Sequence, residues 1–254
     1  MVSYKLPPKM AEMARRFEAE GGVPVQPRLA STVVLLREPF EAYLIRRVAT
    51  MAFAASMYAF PGGGVDPRDA AVLPGWAGPA PADWAARLKL DESVARSVVC
   101  AAVREVFEES GVLLAGADAE SVVGDVSGPD WERARRALIA RELGFAEFLS
   151  RNGLVLRSDL LAPWSRWVTP EFEPRRFDTY FFLALLPSGQ VTRDVGGEAD
   201  DHVWCTPAEA ADGRYTMLPP TSHTLLELAE AGGIEAALAA APDRDPADAI
   251  RPGA

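Results

Sequence analysis

Glu105, Glu108 and Glu109 lie three and four positions apart, directly after Arg104. On a helix turning about 100° per residue, that spacing makes them neighbours on one face. Val99, Val103 and Val106 fall on another stripe, with Cys100 and Phe107 beside it, so the segment reads as a helix with an apolar and an acidic side. Gly111 follows, at the place where a left-handed residue commonly stops a helix. Three adjacent carboxylates repel one another, and hard divalent cations such as Mg2+ take oxygen ligands of this kind. Taken alone, the helix also fits a solvated acidic face with Arg104 and Glu108 as an ordinary i,i+4 pair.

A second stretch bears on that choice. Phe60-Pro61-Gly62-Gly63-Gly64-Val65-Asp66 is a turn whose glycines let backbone approach a ligand closely. Together the two stretches resemble the Nudix hydrolase signature: a glycine, five residues, a glutamate, seven residues, then Arg-Glu, an aliphatic residue, any residue, Glu-Glu, any residue, Gly and an aliphatic residue. Arg104 to Val112 matches the second half at every fixed position, and Gly63 matches the start. The first glutamate of the pattern falls on Asp69, one methylene shorter. Residues 70 to 103, 34 where the family has seven, then intervene, an insertion of 27. With the gap placed differently, Asp91 or Glu92 takes the first-glutamate role.

The resemblance implies metal-dependent hydrolysis of a nucleoside diphosphate linked to another moiety, with Mg2+ or Mn2+ as cofactor. It implies that Glu108 and Glu109 hold metal, that Glu105 either ligates metal or orients water, and that Arg104 braces Glu105 or Glu108. Gly62 and Gly63 would lend backbone groups to the substrate. A downstream glutamate reaches the metal in many relatives; Glu198 is the candidate here and Asp201 the second. Arg175 and Arg176 either bind phosphate through their planar donors or brace their turn against Asp178 or Glu171. The insertion, and the stretch Met51 to Phe60, also resemble the subgroup that includes acyl-coenzyme A diphosphatases. Coenzyme A or an acyl-coenzyme A is therefore the expected substrate, with ADP-ribose or an ADP-sugar second. A nucleotide sensor that does not hydrolyse is the rival, and the intact glutamate trio argues against it. Relatives are often dimers, so a homodimer is an expectation.

These residues need a frame. Ser31 to Arg37 is a β-branched, apolar run, and Ala42 to Arg47 reads as its hairpin partner. Tyr180 to Leu186 reads as a strong buried strand; Leu154 to Leu161 and Trp164 to Val168 are strand candidates. Helices are expected over 10–20, 129–144 and 145–152, with another from Thr206 and a closing helix over 222–231. Asp83 is the expected N-cap of a short helix over 84–90. The fold class is α+β: a Nudix fold, an α/β/α sandwich around a mixed β-sheet, with an insertion in the signature and a C-terminal helical addition. The expected divisions are an N-terminal extension over 1–29, a Nudix domain over 30–241 with its insertion at about 70–92, and a flexible tail over 242–254. The Ala/Pro/Gly-rich insertion, with Trp76, looks poor as core and is expected to border the substrate pocket as a lid or wall.

Composition narrows the partners. The chain has 254 residues, 49% of them hydrophobic, and a formal net charge of −10. An acidic chain is a poor binder of long nucleic acid, which needs clustered Lys and Arg. A nucleotide-sized anion is still admitted, because bound cations invert local charge. Cys100 and Cys205 show no zinc spacing, and Cys100 falls on the core stripe. No stretch has the length of a membrane span or the form of a signal peptide, so a cytoplasmic protein is expected.

Overall fold

The structure, a computed structural model, describes residue 6 and residues 8–48, 55–193 and 199–252. In chain order the elements are α1 (Pro8–Ala19), β1 (Arg28–Arg37), β2 (Glu41–Arg47), β3 (Tyr58–Ala59), β4 (Gly62–Gly64), β5 (Trp76–Ala77), α2 (Pro81–Leu88) and α3 (Glu92–Ser110). There follow β6 (Ala115–Gly116), α4 (Pro129–Ile139), α5 (Phe145–Arg151), β7 (Val155–Arg157), β8 (Ala162–Val168), β9 (Phe177–Leu185) and β10 (Ala199–Cys205). The chain ends with α6 (Pro207–Glu209), α7 (Pro219–Ala231), α8 (Ile234–Ala240) and β11 (Ala249–Ile250).

The main sheet runs β10-β2-β1-β9-β8-β11, with β3 added on β2 and β4 on β1. It is mixed: β1 and β9 are parallel from Arg28↔Phe177 to Leu36↔Leu185, whereas β8 is antiparallel to β9. Strand alternation explains why these stretches read as continuous apolar runs, since both faces are buried. Val33, Leu35, Tyr43, Ile45, Tyr180 and Phe182 enter one core, which α2, α3, α4 and α5 close. Val34, Leu36, Ala42, Leu44, Phe181 and Leu183 enter the other, which α7 and α8 close. The expected α/β/α sandwich around a mixed sheet is observed.

The insertion does not behave as its composition suggested. β5 pairs with β7 in a small second sheet, β5-β7-β6. α2 lies on α3 and buries Trp84 and Leu88, the Trp84 ring meeting Phe182 edge-on at 5.8 Å. The helix starts earlier than expected, at Pro81 after Ala80. Asp83 is therefore not the cap residue; its carboxylate accepts instead from the Ala80 N–H at 2.9 Å. Alanines and one tryptophan suffice here because two helices pack closely where side chains are small.

The tail expected to be flexible is docked as far as residue 252. Ile250 is buried in the second core, and β11 pairs in parallel with Arg166 and Trp167 of β8. Arg244 lies 3.8 Å over the Trp164 ring, donates to the Trp164 carbonyl and pairs with Glu227 at 2.6 Å. These anchors are one residue each, too sparse to form a periodic signal. Among the described residues no helix is long and apolar enough to cross a membrane.

Candidate active site

Helix α3 carries the acidic trio on its last turns and is pinned at both flanks. The Ser31 hydroxyl of β1 donates to the Val98 carbonyl at 2.6 Å. Gly111 closes the helix at φ 72°, its N–H on the Phe107 carbonyl. Two arginines then hold the carbonyls that a helix end leaves without partners. Arg135 donates to the Glu108 carbonyl at 2.9 Å, and Arg193 donates to the Gly111 carbonyl at 3.1 Å. Both arginines pair with Glu132.

Strand β4 brings the glycines against β1, with Gly62, Gly63 and Gly64 opposite Thr32, Ser31 and Ala30. A Cβ on Gly63 would stand 2.5 Å from Glu105 Oε1, and one on Gly62 would stand 2.5 Å from the Ser31 carbonyl oxygen. Only glycine permits that approach. The Gly62 N–H donates to Glu109 Oε2 at 2.7 Å, so the glycine strand and the acidic helix are bonded directly.

Arg104 is the centre of the group. Its Nε and Nη2 grip Asp69 Oδ1 and Oδ2 at 2.9 and 3.0 Å. Nη1 donates to Glu105 Oε1 at 2.8 Å and to both oxygens of Glu108 at 3.3 Å, and Nη2 also reaches the Gly64 carbonyl at 3.0 Å. Asp69 is 2% exposed and its Oδ2 accepts from the Asp66 N–H at 2.8 Å, in a capping box that closes the 3-10 turn Pro67–Ala70. Asp91 and Glu92 are exposed at the opposite end of α3, about 18 Å along the axis from Arg104 at 1.5 Å per residue. Of the three carboxylates considered for the first-glutamate position, Asp69 is the one in contact with Arg104.

The trio is not a solvated face. Burial pushes the Glu105 carboxyl up to about 7 against the pull of Arg104. Burial also raises Glu108, again opposed by Arg104. Arg104 is desolvated too, yet Asp69, Glu105 and Glu108 hold its proton more firmly than in water. Three carboxylates, Asp69, Glu105 and Glu108, meet one guanidinium, and Glu109 stands beside them on the Gly62 N–H. Hard oxygen donors with surplus negative charge suit a divalent cation in kind. Among the described residues no group of three or more His, Cys, Asp or Glu side chains is placed to hold a metal ion, and Arg104 Nη1 donates to both Glu105 and Glu108.

Glu105, Glu108 and Glu109 form one wall of a cavity of about 740 Å³. Gly62 to Gly64 and Arg104 continue that wall. Arg28, Ala30 and Thr32 of β1, Phe177, Thr179 and Phe181 of β9, and Tyr58 and Phe60 line other sides, as do the start of α7 and the end of α4. No residue between 69 and 103 lines it, so the insertion is neither its lid nor its wall. The reason is the packing of Trp84 and Leu88, which commits α2 to the core.

Other expected site residues divide. Arg175 is exposed and lines the cavity. Arg176 does not: it is buried and donates to the carbonyls of Thr169 and Val25 at 3.0 and 2.7 Å, bracing the turn through backbone. Asp178, its expected partner, is gripped by Arg166 at 2.7 and 2.6 Å. Asp201 accepts from the Tyr58 hydroxyl at 2.8 Å on β10 and does not line the cavity. Glu198 lies outside the described residues. Arg135, not singled out in the sequence, is 4% exposed and holds the end of α3. Its signal was present: residue 135 sits four after Trp131 and three before Leu138, on the apolar stripe of α4.

The model of the NUDT19 Nudix domain matches residues 80–218. The chain belongs to the Nudix family. A Caenorhabditis elegans protein that carries the name nudix hydrolase 7 is 27% identical over 205 residues, which cover 79% of this chain and 60% of that one. The acyl-coenzyme A diphosphatase NUDT19 of Xenopus laevis is 29% identical over 147 residues, 51% of this chain and 38% of that one. The chain thus spans between roughly two fifths and three fifths of these relatives. A crystal structure of a NUDIX hydrolase from Alicyclobacillus acidocaldarius superposes with a TM-score of 0.69 at 27% identity, covering 85% of this chain and 96% of that one. That structure shares the Nudix fold, with its mixed sheet between helical layers.

Proposed function

We propose that the protein is a diphosphatase that cleaves the phosphoric anhydride bond of coenzyme A or an acyl-coenzyme A with the help of Mg2+ or Mn2+. One observation carries this reading: Glu105, Glu108 and Glu109 line a cavity of nucleotide size, and the guanidinium beside them, that of Arg104, is shared by Glu105 and Glu108 with the buried Asp69. Nothing structural needs that excess of buried charge, since two buried like charges raise each other's energy. The name of the frog relative, an acyl-coenzyme A diphosphatase, supplies the substrate class.

Glu108 and Glu109 would hold the cation, their carboxylate oxygens being the donors it prefers, and Glu105 would either join them or orient the attacking water. A bound divalent ion would neutralise diphosphate charge and lower the pKa of water. The chain's own part is positioning, which is most of what phosphoryl transfer asks of a protein. Arg104 fixes Glu105 and Glu108 relative to each other and to Asp69. Gly62 orients Glu109 through its N–H, and Gly63 leaves the room in which the Glu105 carboxylate sits. If Glu105 stays off the cation, its buried carboxylate, held by Arg104 on the cavity wall, is the group placed to orient an attacking water.

The test is to incubate the protein with Mg2+ or Mn2+ and coenzyme A, acyl-coenzyme A, ADP-ribose and an ADP-sugar, and to identify products by mass. A phosphopantetheine product together with a nucleoside bisphosphate is expected. Cleavage of ADP-ribose alone would move the substrate assignment, and no cleavage of any would leave a sensor.

A further inference from the structure

We propose that Arg28 and Arg175 form a subsite for a phosphate carried outside the scissile diphosphate, of the kind borne on the ribose of coenzyme A. The inference rests on the diphosphatase reading and names what that site selects. Six arginines line the cavity of a chain whose net charge is −10. Arg68 and Arg104 are engaged by Asp66 and Asp69. Arg28 and Arg175 make no side-chain hydrogen bond or ion pair among the described residues, although Glu173 lines the same cavity. Unpaired guanidinium groups in an acidic protein mark a place where an anion is wanted, and their planar donors match phosphate oxygens in pairs.

Topology puts the two together. Arg28 opens β1, Phe177 opens β9, and these two residues face each other across the parallel pair. The Arg28 N–H donates to the Arg176 carbonyl at 2.9 Å, so Arg28 and Arg175 stand at the same corner of the sheet. The corner is set apart from the acidic wall. Gly63, against which Glu105 sits, pairs with Ser31. Arg28 lies three residues before Ser31, about 10 Å along the strand at 3.3 Å per residue. A diphosphate at the acidic wall and a second phosphate at Arg28 and Arg175 are therefore separate points of attachment. Arg176 cannot serve, because its guanidinium is already committed to the carbonyls of Thr169 and Val25.

The experiment compares ligands that differ only in that phosphate. With Mg2+, the KM for coenzyme A should lie about tenfold or more below that for dephospho-coenzyme A, the scale of hydrogen bonds to a charged group. In the Arg28→Ala/Arg175→Ala double variant this ratio should fall towards one, and in the Arg28→Lys/Arg175→Lys variant it should recover in part. A ratio near one in the unaltered protein, or an unchanged ratio in the alanine variant, overturns the proposal. A second measurement, titration with adenosine 3′,5′-bisphosphate and with AMP, reads the subsite by binding alone. If neither coenzyme is cleaved, the diphosphatase reading fails, and the subsite then stands or falls on this titration. Tighter binding of the bisphosphate, lost in the alanine variant, upholds it; equal binding of the two nucleotides overturns it.

Discussion

Arg104 grips Asp69 with two parallel hydrogen bonds, 2.9 Å from Nε and 3.0 Å from Nη2, across 35 residues of sequence. The Asp69 side chain is 1% exposed and that of Arg104 10%. Removing one partner of a buried pair leaves an uncompensated charge, which costs about 3–5 kcal/mol. Asp69→Ala should accordingly lower stability by that order, read as an earlier urea midpoint at unchanged slope. Turnover of the folded fraction should fall as well, because Arg104 would lose the contact that fixes it beside Glu105 and Glu108.

Glu108 shares Arg104 with Glu105 and lines the cavity. Glu108→Gln keeps the shape and removes the charge. Turnover at saturating Mg2+ is expected to drop by roughly two orders of magnitude or more, the scale of removing a main electrostatic element, while the circular dichroism spectrum stays the same. Near-normal turnover would remove Glu108 from the metal-binding set.

Gly63→Ala isolates geometry from charge. The added methyl would stand 2.5 Å from Glu105 Oε1, and that carboxylate has little room to retreat because Arg104 holds it at 2.8 Å. Turnover should fall about tenfold or more, as displacement of a positioned group does. A variant that turns over normally would show that the position of Glu105 is unimportant.

How far the sequence carried these conclusions depended on the range of the interactions. Helix α3, its end at Gly111 and the three central strands were legible, because burial on one or both faces imposes a period or an unbroken apolar run. Arg104 beside Glu108 was legible because they are one turn apart. The grip of Arg104 on Asp69 was not legible, since it closes over the 34 residues from 70 to 103; the family resemblance placed Asp69 at the first-glutamate position without naming its partner. The role of the insertion was misread: Trp84 and Leu88 carry the packing, while the surrounding Ala, Pro and Gly dominate the composition. The same holds for Arg176 and Arg244, whose partners are backbone carbonyls and a ring far along the chain. A charged side chain announces its charge in the sequence, but not whether that charge faces substrate or braces a turn.

Burial of Glu105 predicts an unusual pH response. Its carboxyl is raised to about 7 in the folded chain, against an ordinary value of 4.5 when unfolded. Between these values the folded state holds a proton that the unfolded state has lost, so stability falls as pH rises. Below about 4.5 the contribution is fully present; above about 7 it is gone. Each pH unit of the gap is worth up to about 1.4 kcal/mol. In a chelator-treated sample the melting temperature should decline from pH 5 to 7.5, and Glu105→Gln should flatten that decline. A rise over this interval that the variant leaves unaltered would contradict the assignment.

The insertion gives the last expectation. Trp84 is 3% exposed and packs on Phe182, and α2 packs along α3 on the side away from the cavity wall. Truncating a buried tryptophan to alanine costs about 3–5 kcal/mol. Trp84→Ala should therefore shift the urea midpoint strongly downward, with residual folded protein still visible by circular dichroism at low temperature. Because no residue from 70 to 103 lines the cavity, the preference between coenzyme A and ADP-ribose should be the same in that folded fraction as in the unaltered protein. A changed preference at unchanged stability would mean that the insertion reaches the substrate after all. A lost midpoint with constant preference assigns it to the support of α3, and through α3 to the placement of the acidic trio.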